Sequence, residues 1–190
     1  MRKSKAETAV TRELIVQTAS REFRRNGISE TGLDDIMHSA GLTHGGFYRH
    51  FDSKDKLLLE SVQQALERLF ASIDAIIGSQ SHGGALESLV EAYLTPHRRD
   101  DYERACPLAA LASELPRANS ETRIVASAAV DRFIATIQRL IDDLPSRDAR
   151  ARATGIFATM VGGMVLSRLT DSPTTSNRTL KDAREFALRP

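Results

Sequence analysis

Residues 41–57, GLTHGGFYRHFDSKDKL, concentrate side chains that can hold a polyanion. Thr43, Tyr48 and His50 can donate hydrogen bonds to phosphate oxygens, and Lys54 adds a charge from the first turn of the next helix. His44 stands beside Gly45, an imidazole next to a residue with no side chain. Phe47, Tyr48 and Phe51 draw on a supply of only seven Phe and three Tyr in the chain. The adjacent glycines Gly45 and Gly46 ask for a reason, because each costs about 0.8–1.0 kcal/mol of helix propensity relative to Ala. One reason is an outside surface that the backbone must approach closely, such as the major groove of a duplex. The other is a loop-like short helix whose aromatics fill a core.

The elements that would position these groups follow from apolar spacing. Apolar residues recur at three and four throughout and no strand-like alternation persists, so the chain reads as all-α. Leu14, Ile15, Thr18, Ala19 and Phe23 mark a first helix ending at Asn26-Gly27. Residues 33–50 read as a helix-turn-helix: LDDIMHSA, the turn GLT with Gly41 free to take positive φ, then HGGFYRH capped by Thr43. Phe47 and Phe51, four apart, share one face and can anchor on Ile36 and Phe23; His44, Gly45 and Tyr48 are left on the other. Ser53 caps a long fourth helix carrying Leu58, Val62, Leu66, Leu69, Ile73 and Ile77, which ends at GSQSHGG. Further helices are expected at Leu86–Leu94, at CPLAALASEL up to Pro116, at 124–144 with Val130, Phe133, Ile134, Ile137 and Ile141 inward, at 149–169 and at 177–188. Prolines 145 and 173 mark breaks. The expected architecture is a three-helix head with the helix-turn-helix, a long connecting helix and a helical-bundle body.

Composition narrows the function. The 190 residues are 41% hydrophobic and 27% charged with a net charge of +1, which suits an ordinary globular protein and not a basic nucleic-acid coat. Charge is uneven only at the start, where Arg2, Lys3, Lys5 and Arg12 face Glu7 alone; residues 1–9 read as a basic arm or a solvated tail. A single cysteine excludes an internal disulfide and suits a reducing cytosol. The charged first residues carry no signal peptide, and the longest apolar run, GIFATMVGGMVL, falls short of the roughly 18 residues needed to span a bilayer. A cytoplasmic protein is expected, with no membrane partner.

An enzyme is not indicated, because no nucleophile elbow, phosphate loop or metal-ligand spacing occurs. His38, His44, His50, His82 and His97 are scattered, and His44 and His50, six apart, do not share a helical face; no metal site or cofactor is expected. Cys106 precedes Pro107, the favoured first residue of a helix, and a thiol at a helix N-terminus gains thiolate character. It is therefore a candidate sensor of an electrophile, with a buried structural thiol as the alternative.

The segment TGLDDIMHSAGLTHGGFYRHFDSKDKLLLESV resembles the DNA-binding region of TetR-type transcriptional regulators, through EFRRNG, Thr31, DI, AG, GGFYRHF and SKDKLL across residues 10–62. The resemblance implies a DNA-binding domain at 1–56 and an effector-binding and dimerisation domain at 57–190. It implies a homodimer that offers one recognition helix to each half of a palindromic double-stranded operator, most often as a repressor released by a small molecule. By match of position, Thr31 and Thr43 would touch phosphates, His44 and Gly45 would lie at base edges, and Tyr48, His50 and Lys54 would hold the backbone. Many members carry Lys or Arg where this chain has His44, and a neutral imidazole contributes less charge. The penultimate and last helices of the family build the dimer, which makes Gly162 and Gly163 interface candidates. Tyr93, His97, Phe133, Met160 and Met164, with Cys106, are the effector candidates; plain core is the alternative for each. A helical protein-interaction module without sequence-specific DNA binding is the competing reading of the whole chain.

Overall fold

The computed structural model describes residues 5–80, 84–141 and 146–189, and among these every regular element is helical. The α-helices are α1 (Lys5–Asn26), α2 (Leu33–Ser39), α3 (Lys54–Gly78), α4 (Ala85–Tyr93), α5 (Pro96–Asp100), α6 (Pro107–Ala110), α7 (Ser120–Gln138), α8 (Ser146–Arg168) and α9 (Pro173–Ala187). Short 3₁₀ helices lie at His44–Arg49, Tyr102–Arg104 and Leu115–Arg117. Two compact units result: residues up to Glu67 together with Tyr102–Ala126, and Arg68–Asp101 together with the chain from Ser127 on. Packing thus groups the chain differently from a linear division at 56/57, because α3 and α7 each run unbroken from one unit into the other.

In the first unit, Ile15, Ala19 and Phe23 of α1, Ile36 and Met37 of α2, Phe47, Phe51, and Leu57 and Leu58 of α3 form one buried core. Two buried hydroxyls tie α1 to α3: Ser20 donates to the Ser61 carbonyl at 3.0 Å and Ser61 to the Val16 carbonyl at 3.4 Å. Residues 102–126 fasten to the same unit by charged groups. The Arg24 guanidinium donates to the Glu103 carbonyl, and Lys56 pairs with Glu121 at 2.6 Å, which holds the Lys56 ammonium above its ordinary pKa. Glu114 accepts from the Ile28 and Ser29 amides at 2.7 and 3.1 Å, beside Gly27 at φ +90.

The second unit is built on four buried rings. Phe133 stacks on Phe157 at 4.3 Å between centroids, with Phe70 and Tyr93 packed against it at 5.8 and 6.2 Å. Helices α8 and α9 approach closely where Gly163 faces Ala183: a Cβ built on Gly163 would lie 2.5 Å from the Ala183 Cβ.

Several element boundaries differ from the sequence expectation. Pro173 opens α9 instead of breaking the chain, with the Ser172 hydroxyl accepting from the Thr175 amide, because a first-turn proline gives up an amide that needs no partner. Pro96, expected to disrupt a helix, also opens one, while Pro107 opens α6 as expected. The expected CPLAALASEL helix is a single turn, after which the chain bends through Leu111 into the 3₁₀ helix, and burial of Leu111 and Leu115 overrides local propensity. Val130 faces outward and α7 ends at Gln138; the expected end at Leu144 lies outside the described residues, as do Pro145 and His82. Residues 5–9 of the expected basic arm are helical within α1, and residues 1–4 lie outside the described residues.

Candidate nucleic-acid interface

Helix α2 is entered through Gly32, whose amide donates to the Asp35 carboxylate at 3.0 Å, and it is left through Gly41 at φ +69. The turn closes by amide bonds from Gly41 to the His38 carbonyl and from Leu42 to the Met37 carbonyl, at 2.9 and 2.8 Å. Thr43 precedes the 3₁₀ helix His44–Arg49 in extended conformation, but its hydroxyl makes no capping bond, contrary to expectation; the exposed side chain keeps it available. The inward face is anchored as the spacing predicts. Phe47 is fully buried, Phe51 nearly so, and their rings stack at 5.7 Å.

The outward face carries Thr43, His44, Gly45, Tyr48 and Arg49, all exposed. Tyr48 is 64% exposed and stands edge-on to both Phe47 and His44, which limits the directions its hydroxyl can take. The His44 Nδ1 lies 2.6 Å from the Asp34 carboxylate, so its N–H donates to the first turn of α2 and fixes the ring on the exposed face. Neither Gly45 nor Gly46 has positive φ. A Cβ on Gly45 would meet nothing within 4 Å, and one on Gly46 would make only ordinary contact with Met37 at 3.6 Å. Among the described residues nothing calls for glycine at either position. A helix anchored by aromatics on one face, with a glycine set among the exposed polar side chains of the other, fits one that must lie close to an external surface.

Comparison with known proteins assigns this arrangement. Residues 15–61 match the profile of bacterial regulatory proteins of the tetR family, and residues 84–183 match the tetracyclin repressor-like C-terminal domain. The chain belongs to the TetR family. An uncharacterized HTH-type transcriptional regulator of Mycobacterium tuberculosis is 29% identical over 83% of this chain and 84% of its own. The probable acrEF/envCD operon repressor of Escherichia coli is 39% identical over 59 residues, 31% of this chain and 27% of its own. A TetR regulator from Chloroflexus aurantiacus has the same fold, with a TM-score of 0.81 and 25% identity over 95% of this chain and 96% of that one. This TetR-family chain is a DNA-binding transcriptional regulator, and its helix-turn-helix is α2 with the 3₁₀ helix.

The remaining residues expected at the interface divide. Lys54 is half-buried: its ammonium donates to the Ile28 carbonyl at 2.7 Å and lies 5.9 Å from the Phe23 ring centroid, with two further N–H groups to offer. His50 is half-buried at the end of the recognition helix, its amide bonded to the Phe47 carbonyl at 2.8 Å. Thr31 is a correction. It is 1% exposed, and its hydroxyl donates inward to the Gly27 carbonyl at 2.6 Å, so the side chain closes the turn between α1 and α2 and has no route to a phosphate.

In the second unit of this TetR-family regulator, Tyr93 and Phe133 lie in the four-ring cluster, and Met160 and Met164 are buried in the same core. His97 is not with them; it is exposed on α5. Gly162 and Gly163 also part company. Gly163 is buried against Ala183 of its own chain, which removes it from any interface between copies, whereas a Cβ on Gly162 would meet nothing within 4 Å. Cys106 is buried at the start of a helix only four residues long, where the accumulated dipole is small and access to the thiol is restricted. The residues that sequence reading missed are charged partners of the head: Asp34 on His44, Glu60 on Arg12, and Glu114 on the Ile28 and Ser29 amides. Only Asp34, in the first turn of α2, had a local signal.

Proposed function

We propose that this chain is a repressor that binds a palindromic operator as a homodimer and leaves it when a small molecule enters the C-terminal domain. Residues 1–56 carry operator binding, and residues 57–190 carry effector binding and dimerisation. The observation that carries the reading is Gly45, exposed and sterically unconstrained on a helix whose opposite face is pinned by Phe47 and Phe51. His44 and Gly45 take the base edges; Thr43, Tyr48, His50 and Lys54 take the phosphates.

Dimerisation uses the outward stripe Gly155, Thr159, Gly162, Leu166 and Leu169 of α8 and the residue following it, spaced alternately by four and three. Leu166 and Leu169 are 59% and 74% exposed, and Phe186 of α9 borders a groove of about 390 Å³ beside Gly155 and Thr159. Two small residues on an apolar stripe favour close approach of a second helix. The effector reaches the cluster of Tyr93, Phe133, Met160 and Met164, and the burial of Cys106 favours a reversible ligand over an electrophile. No helix among the described residues is long and apolar enough to cross a membrane, in keeping with a cytoplasmic site of action.

Selection from a random duplex library at two salt concentrations tests the proposal. A palindromic consensus, retained as affinity falls with salt, is expected. Weak, sequence-blind binding that collapses with salt would instead make the chain a helical interaction module.

A further inference from the structure

We propose that Arg12 is the positioning residue of the recognition helix, and not one of the phosphate contacts that its place in the basic first segment of the sequence suggests. The proposal rests on the reading that this helix binds DNA. A 3₁₀ helix of six residues has poor internal hydrogen-bond geometry and must take its orientation from what surrounds it. Its inward face is fixed by Phe47, but its C-terminal end needs a second hold.

Arg12 supplies one from the third turn of α1. Its two terminal nitrogens each lie 2.5 Å from one oxygen of Glu60 in α3, the parallel fork that only a guanidinium makes with a carboxylate. Its Nε donates a long hydrogen bond, 3.4 Å, to the carbonyl of His50, the residue that ends the recognition helix. Its guanidinium carbon lies 4.4 Å from the centroid of the Phe51 ring, the anchor that follows. One planar group therefore joins α1, α3, the last carbonyl of the recognition helix and the ring beneath it. Glu60 neutralises the charge and holds the Arg12 pKa above its ordinary value, so Arg12 contributes little to the field that a duplex meets. Although its side chain is 41% exposed, three of its five N–H groups are already directed at Glu60 and His50.

The two roles make opposite predictions. On the operator recovered by selection, at a temperature where melting curves show every variant folded, R12Q and E60Q are each expected to weaken binding about five- to tenfold. The double variant should be no weaker than R12Q alone, and R12K should not rescue. The slope of log Kd against log salt should stay at the wild-type value, because no phosphate contact is lost. If Arg12 instead holds a phosphate, R12Q will reduce that slope by about 0.9 and E60Q will tighten binding. Either that pattern or wild-type affinity in R12Q overturns the proposal. Amide exchange on the free protein reads the same device without DNA. The His50 and Phe51 amides, both bonded to the Phe47 carbonyl, should exchange faster in R12Q while those of α9 are unchanged. Unchanged exchange at His50 and Phe51 overturns the positioning role even if no operator is found, and a wild-type chain that selects no operator counts against DNA reading alone.

Discussion

Two pairs of adjacent glycines, Gly45-Gly46 in the recognition helix and Gly162-Gly163 in α8, look alike in sequence and do different things. Gly163 answers to the chain itself: its missing Cβ is the space that Ala183 of α9 occupies, and Leu94 closes in at 3.4 Å. Gly45 answers to nothing in the chain, since a Cβ there would stand in open space on an exposed face. Gly162 behaves like Gly45, open on its outward side. A glycine that a helix tolerates for internal packing is a stability device. A glycine with no internal reason points outward, and in the proposed function it meets DNA in the head and a second copy in the body.

That contrast can be broken by substitution. The largest effect is expected where a side chain fills an internal space: Phe47→Ala should cost about 3–5 kcal/mol and unfold the head first, as read by the urea dependence of amide exchange along the chain. Gly163→Ala comes next. The Ala183 Cβ is fixed to backbone and cannot swing aside, so α8 and α9 must part, at a cost of about 1–3 kcal/mol in the same assay. A loss below about 0.5 kcal/mol would mean that the close approach of the two helices is not needed.

The smallest effect lies at the surface of the body. A hydrogen bond from Arg99 holds the Asp100 carboxyl below its ordinary pKa. A depressed carboxyl stabilises the fold above the unfolded pKa and loses that contribution as pH falls through the folded one. With the Asp100 carboxylate largely exposed, Asp100→Asn should cost only a few tenths of a kcal/mol at neutral pH. Its melting temperature should converge with that of the wild type in acid, and a gap that widened in acid would reverse the assigned sign.

Much of the head was legible because its signals are local. Gly41 at the turn, the four-residue spacing of Phe47 and Phe51, and the exposure of His44, Gly45 and Tyr48 all follow from residues within one or two helical turns. Thr31 misled because the same hydroxyl that can bind a phosphate can also close a turn, and the Gly27 carbonyl lies within its reach. Arg12 misled because its partner Glu60 is 48 positions away, so charge counted along the sequence could not show that it is already neutralised. In the body, the helices were legible from periodicity, but the division between Gly162 and Gly163 depends on which side α9 approaches. Proline was read as a stop where Ser172 makes it a start.

The outward face of the recognition helix is proposed to meet DNA closely at Gly45, and Gly45→Leu tests this most directly. Melting and operator affinity should be measured on the same preparation. No loss of stability is expected, and a gain of up to about 0.8 kcal/mol from helix propensity, because a Cβ at this position meets nothing within 4 Å. A loss of affinity of at least about tenfold is expected, because the new side chain stands where the duplex must come. Wild-type affinity in a variant that melts no lower than the wild type would contradict the proposed contact.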